Sequence, residues 1–288
     1  MSHPKIYGNL FLSVGAMKAG TTWLFSVISR HPELHFTPEK EIHYFYHRYV
    51  DHRMLSDPRR LERAKSQYLE RFDPAKANID RVRSNLHWVS SYLTRPVDDF
   101  WFRNLFNMNP RQTYGCDFSN LNALLPAEAW PQIAANCEKL RVMYTLRNPV
   151  KRLWSHVKFH LQVINNTEVL DTWTPEEMET FARKPFIWQN AEYGEVLRRL
   201  KAGLGEDMLK VVFFEDMHAD QRGMLSGIED FLGIRHFDYP EDLLSQRVNE
   251  SVSRPMPDWF AGLFADDIAR INGELQAEGL TLPDSWHA

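Results

Sequence analysis

Cysteine is almost missing: Cys116 and Cys137 are the only two in 288 residues. Two thiols build neither a disulfide framework nor a zinc knuckle, which leaves a pair of reduced thiols or one bridge. An excess of positive charge is missing too. Thirty-four lysines and arginines face 38 acids, for a formal net charge of −4, so no global field draws the chain to nucleic acid. No apolar run approaches the roughly 18 residues of a membrane span. The start, "MSHPKIYGNLFLSVG", lacks the basic region and cleavage site of an export signal. These absences point to a cytoplasmic protein whose business is with small molecules.

What is present is material for a core. Hydrophobic residues make up 43% of the chain and aromatics 13%, enough for one large α/β domain over residues 1–288. Three short apolar runs read as buried parallel strands: "NLFLSV" (9–14), "RVMYTL" (141–146) and "KVVFF" (210–214). A helical pattern follows each. The first stops at Pro32, the second opens with Pro149 at a first-turn position, and the third ends at Gly233. Repeated strand–turn–helix units predict a central parallel sheet flanked by helices, with the ligand at the carboxyl ends of its strands. Residues 50–112 are charged and helix-prone and read as a helical insertion covering the cleft. The aromatic clusters "HYFYHRYV" and "DDFWFRNLF" belong to buried helix faces or a cleft wall.

The stretch after the first strand, "VGAMKAGTTWL" (14–24), lacks the one residue that would make it a kinase loop. A Walker A loop places its lysine directly after the second glycine. Gly15 and Gly20 keep the glycine spacing, but Ala19 and Thr21 flank Gly20, and the lysine is Lys18, on the loop itself. Loop N–H groups and a helix N-terminus still make an anion cradle, with Thr21 and Thr22 at the helix start. Without a hydroxyl beside the lysine to hold Mg²⁺, this cradle takes a phosphate with no metal expected.

The stretch "KAGTTWL" resembles the 5′-phosphosulfate loop of sulfotransferases that use 3′-phosphoadenosine 5′-phosphosulfate (PAPS). The later "RNPVKRLWS" resembles that family's 3′-phosphate motif and presents Arg147, Arg152 and Ser155. Each motif follows a predicted strand. "FFEDM" (213–217) and "FLGI" (231–234) extend the likeness over nearly the whole chain. The resemblance implies the P-loop-like sulfotransferase fold. It also implies transfer of a sulfuryl group from PAPS to a hydroxyl or amine, with adenosine 3′,5′-bisphosphate (PAP) as product. By it, Gly15, Lys18, Ala19, Gly20, Thr21 and Thr22 hold the 5′-phosphosulfate, and Lys18 reaches the bridging oxygen. Arg147 and Ser155 hold the 3′-phosphate. Trp23 and Tyr193 stand where the family meets adenine, although both also fit a core, and Arg254 resembles a basic loop that closes over the nucleotide.

"PEKEIHYF" resembles the segment of glycan-type and bacterial members whose glutamate is the proposed general base. That role falls on Glu41, with His43, two residues on, as the rival, and a modestly raised carboxyl pKa would suit it. In an extended segment the two share a face. The chain departs from the glycan-type pattern at Phe118, which occupies a lysine position, and at Asn120, which occupies a proline position. Its cysteines are not placed for that group's C-terminal disulfide loop. It departs from the cytosolic branch in having no histidine from residue 88 to 155. The competing readings are a P-loop kinase and a PAP-binding regulator without catalysis. The acceptor, whether small molecule, lipid headgroup or sugar, is not written in the motifs, and neither is the oligomeric state.

Overall fold

The apolar runs become strands because β-branched and aromatic side chains pack well in a sheet covered by helices, largely buried in the first two runs and half-buried in the third, at the sheet edge. The computed structural model describes residues 5–286 except 71, 72, 74, 77, 109, 247 and 249–252. Its sheet has five parallel strands, β1 (Tyr7–Ser13), β2 (Leu34–Phe36), β3 (Tyr114–Asp117), β4 (Cys137–Leu146) and β5 (Leu209–Phe213), in the order β2-β3-β1-β4-β5. The runs at 9–14, 141–146 and 210–214 are β1, β4 and β5. Sequence pattern missed β2 and β3, which have three and four residues.

Side chains alternate across the sheet. From β4, Leu140, Val142, Tyr144 and Leu146 enter one core layer with the helix Tyr193–Gly203. Met143 enters the other, with α1 (Thr21–Ile28) and the helix Gln221–Leu232. That last helix ends at Gly233 in the left-handed conformation (φ 69°), as a glycine C-cap should.

Register brings the strand ends together. Leu12 of β1 lies opposite Asp117 of β3 and Val142 of β4, so β1 and β3 finish at one level while β4 runs on to Leu146 beside the loop that leaves β1. The chain leaves β1 toward β2 on one side and leaves β4 toward β5 on the other. A crevice opens where the strand order reverses in this way.

The aromatic clusters form α2 (Tyr44–Tyr49), α3 (Asp57–Ala64), α4 (Ile79–Leu93) and α5 (Asp99–Asn104) together with the charged segment around them. Tyr44 stacks on Phe102 at 4.7 Å between ring centroids, and the Tyr7 and Tyr44 hydroxyls both donate to Asp99 at 2.6 Å. Cys116 and Cys137 are buried and free. Among the described residues no helix is long and apolar enough to cross a membrane.

Candidate active site

The loop after β1 is pinned at its start by the sheet itself. Val14 N–H donates to the Met143 carbonyl (3.0 Å) and Ala16 N–H to that of Thr145 (2.7 Å), while Gly15 accepts from Thr145 N–H (2.7 Å). Lys18 then turns into the left-handed region (φ 69°) and Gly20 follows (φ 81°). At Gly20 a Cβ would lie 2.6 Å from the Phe214 ring, so only glycine lets the loop pass that ring. The first turn of α1 has no side-chain cap and no acid. Its N–H groups and partial positive charge are therefore left for an anion.

The turn after β4 is built on the same plan. Asn148 caps α6 (Pro149–Val163), accepting its Lys151 N–H at 3.1 Å, with Pro149 at the first position. Glu215, from "FFEDM", accepts Asn148 N–H at 2.9 Å, and the Tyr193 hydroxyl donates to the Arg147 carbonyl at 2.9 Å. The Arg147 guanidinium lies over the Phe214 ring (4.4 Å) and donates to the Lys18 carbonyl at 3.0 Å, tying the two loops together. Its Nε is buried without a partner, a donor that a bound anion would satisfy.

Both loops open into one cavity of about 660 Å³, and Lys18, Thr21, Thr22, Trp23, Arg147 and Ser155 all line it. The Lys18 ammonium sits 4.7 Å above the Phe159 ring. Burial first, then the charges of Arg147, Lys158 and Lys40, push the Lys18 pKa down. An anion placed among these cations would restore it. Among the described residues Glu41 is the one carboxylate on the wall.

That carboxylate is held at both ends. Lys40 Nζ lies 2.9 Å from Oε1 and His43 Nε2 lies 3.2 Å from Oε2. Burial alone would raise the Glu41 pKa, but the His43 hydrogen bond and the Lys40 charge hold it down at about 2. The modestly raised value expected from the sequence is thus reversed, because two donors outweigh desolvation. His43 sits in the left-handed region (φ 60°) ahead of α2, so the segment is not extended, yet residues 41 and 43 still meet. Its backbone N–H donates to Ser119 Oγ (2.8 Å), which donates to Asp117 (2.7 Å). Asp117 is fully buried, and burial raises its pKa to about 6.

Other expected residues lie elsewhere. Ala19 is fully buried and Gly15 shapes the turn; neither lines the cavity. Tyr193 is fully buried behind Arg147, and Arg152 is fully buried, donating to His156 Nδ1 at 3.1 Å. The Arg254 guanidinium pairs with Asp171 at 2.9 Å, while its carbonyl accepts from Trp154 and Lys158. Among the described residues none from 50 to 112 lines the cavity. Instead Arg63 and Tyr68 hold Glu39, two residues before Glu41. Phe118 is buried among Phe11, Phe25 and Phe36, whereas Asn120 lines the cavity.

Sequence reading missed Lys40 and Phe159, both on the cavity wall. Phe159 carried a usable signal: four residues after Ser155 on a helix, it shares that face. Among the described residues no cluster of three or more histidines, cysteines or acids could hold a metal ion.

A family model described as the sulfotransferase family matches residues 11–238. No curated protein matches the chain. Among solved structures, a sulfotransferase from Alicyclobacillus acidocaldarius superposes with a TM-score of 0.63 at 20% identity, covering 100% of both chains. The sulfotransferase domain of the Synechococcus PCC 7002 olefin synthase gives 0.54 at 18%, covering 98% of both. A sulfotransferase domain from the curacin biosynthetic pathway gives 0.52 at 16%, covering 98% of this chain and 100% of that one. These likenesses establish the fold.

Proposed function

The chain belongs to the sulfotransferase family, and from that premise we propose that it moves the sulfuryl group of PAPS onto a hydroxyl or amine of a small-molecule, sugar or lipid-headgroup acceptor. The observation that carries the donor assignment is the pair of anion sites in one cavity. An uncapped helix start with Lys18 lies on one side, and Arg147 with Ser155 on the other. A ligand with two separated phosphate groups matches that charge pattern.

In this reading the loop N–H groups, Thr21 and Thr22 hold the 5′-phosphosulfate. Arg147 and Ser155 hold the 3′-phosphate. Trp23, fixed by its Nε1–H to the Leu244 carbonyl at 3.2 Å, walls the adenine. Tyr193 acts from behind by holding the Arg147 main chain. Arg254, engaged by Asp171, has no part in it. The acceptor oxygen or nitrogen attacks sulfur in line, the bond from sulfur to the 5′-phosphate oxygen breaks, and PAP leaves. Lys18 meets the charge growing on that bridging oxygen, and Glu41 takes the acceptor's proton.

Calorimetry with PAP, 5′-AMP and ATP tests the donor site. PAP should bind most tightly, without Mg²⁺. Equal affinity for PAP and 5′-AMP would remove the 3′-phosphate role of Arg147 and Ser155. Mass spectrometry of acceptor panels incubated with PAPS then reads the gain of one sulfuryl group.

A further inference from the structure

Lys40 has no role in the reading above, yet its ammonium stands between the two working parts of the cavity. Nζ lies 3.2 Å from Thr21 Oγ1, at the start of the anion-binding helix, and 2.9 Å from Glu41 Oε1. Its side chain is only 16% exposed and that of Glu41 24%, and both line the cavity. Lys18, also on the cavity wall, is close enough to feel its charge. A lysine so placed divides its one charge between the carboxylate and a bound phosphate, and its flexible stem lets it move toward either.

We propose that Lys40 is a donor-responsive clamp on Glu41. In the free enzyme it ties the carboxylate to the nucleotide loop; an anion in that loop draws the ammonium away and releases the carboxylate for the acceptor's proton. Lys40 is a positioning residue here, since it acts through Glu41. The clamp rests on the donor reading and adds to it a coupling between donor binding and base strength. A carboxylate held near pKa 2 is a poor proton acceptor, and losing one of its two partners makes it a better one. Such coupling is reciprocal: if the anion loosens Glu41 from Lys40, then Glu41 must oppose the anion.

That reciprocity gives a test that needs no acceptor. PAP binding is measured by calorimetry on the full chain as wild type, Lys40→Met, Glu41→Gln and the double variant. Lys40→Met should weaken PAP about tenfold, the weight of one charge-assisted hydrogen bond. Glu41→Gln should tighten it by about the same factor when Lys40 is present, and by less than about twofold when Lys40 is methionine. Lys40→Arg should keep the coupling, and Lys40→Gln repeats the cycle should the methionine variant not fold. Equal effects of Glu41→Gln in both backgrounds would mean simple charge repulsion and would overturn the clamp. Failure of the wild type to bind PAP would instead overturn the donor assignment, and the clamp with it.

Discussion

The two walls of the cavity are made of different materials. The wall proposed to hold the nucleotide, the nucleotide wall below, is mostly main chain: loop N–H groups after β1, a capped turn after β4, and carbonyls locked into the sheet ladder. The wall that carries the proposed base, the base wall below, is a run of side chains, from Thr21 through Lys40, Glu41 and His43, with Ser119 and Asp117 behind. A wall built from backbone should survive most single substitutions, since side chains there only add charge. A wall built from side chains should fail at its links.

The largest effect is therefore expected at Glu41. Glu41→Gln keeps the shape and removes the basicity, so kcat should fall by about 10²–10⁴-fold, the usual contribution of a general base. PAP affinity should not weaken. Measured with a true acceptor, an active Glu41→Gln beside an inactive His43→Asn would move the base to the histidine.

That contrast in material also explains what could be read from the sequence. The loop after β1 was legible as a cavity-lining turn because anion cradles of main chain call for glycine, lysine and hydroxyls at fixed spacing, and Lys18, Gly20, Thr21 and Thr22 do line one cavity. The base wall was half legible. Glu41 and His43 stood out by resemblance, but "PEKE" reads as a solvated loop, and Lys40 acquires meaning only through Thr21, 19 positions away. The pairing of Arg254 with Asp171 was hidden for the same reason, since the two are 83 positions apart. Strands β2 and β3 escaped because three residues, or "YGCD", carry too little pattern. The hydrogen bond from Tyr193 to the Arg147 carbonyl, 46 positions away, was equally hidden.

Asp117 sharpens the comparison through pH. Its pKa of about 6 in the folded protein lies above the ordinary aspartate value of about 4. Between about pH 4 and 6 the folded state keeps a proton that the unfolded state has lost, so this group's contribution falls as pH rises, by about 1.4 kcal/mol per unit. Asp117→Asn, which can still accept from Ser119 and Ile42, should therefore gain stability over wild type from pH 4.5 to pH 7.5. The gain must be read as a difference. His156, held at about 2 chiefly by burial, gives the wild type a slope of opposite sign below about pH 6.5. Urea titrations showing the same offset at both pH values would mean that Asp117 is ionised in the fold.

On the nucleotide wall Arg147 is the side chain with most to lose. Arg147→Ala removes a charge-assisted contact of about 1.5–3 kcal/mol, so PAP should bind at least about tenfold more weakly. Binding of 5′-AMP, which lacks the 3′-phosphate, should change far less. An equal loss for both ligands would mean that the substitution collapsed the link to the Lys18 carbonyl rather than removing a phosphate contact.

Tyr193 should show the smallest effect, and its size decides which face of Arg147 the ring serves. Its hydroxyl donates to the Arg147 carbonyl and its ring is fully buried, so Tyr193→Phe keeps the packing and loses one hydrogen bond. Stability should drop by about 0.5–1.5 kcal/mol. PAP affinity should change by no more than about threefold, because Glu215 still holds Asn148 N–H and β4 still holds the strand end. A wall made of backbone tolerates the loss of one brace. If instead Tyr193→Phe weakened PAP more than tenfold with stability unchanged, the hydroxyl would have to touch the nucleotide, and the nucleotide wall would depend on side chains as much as the base wall does.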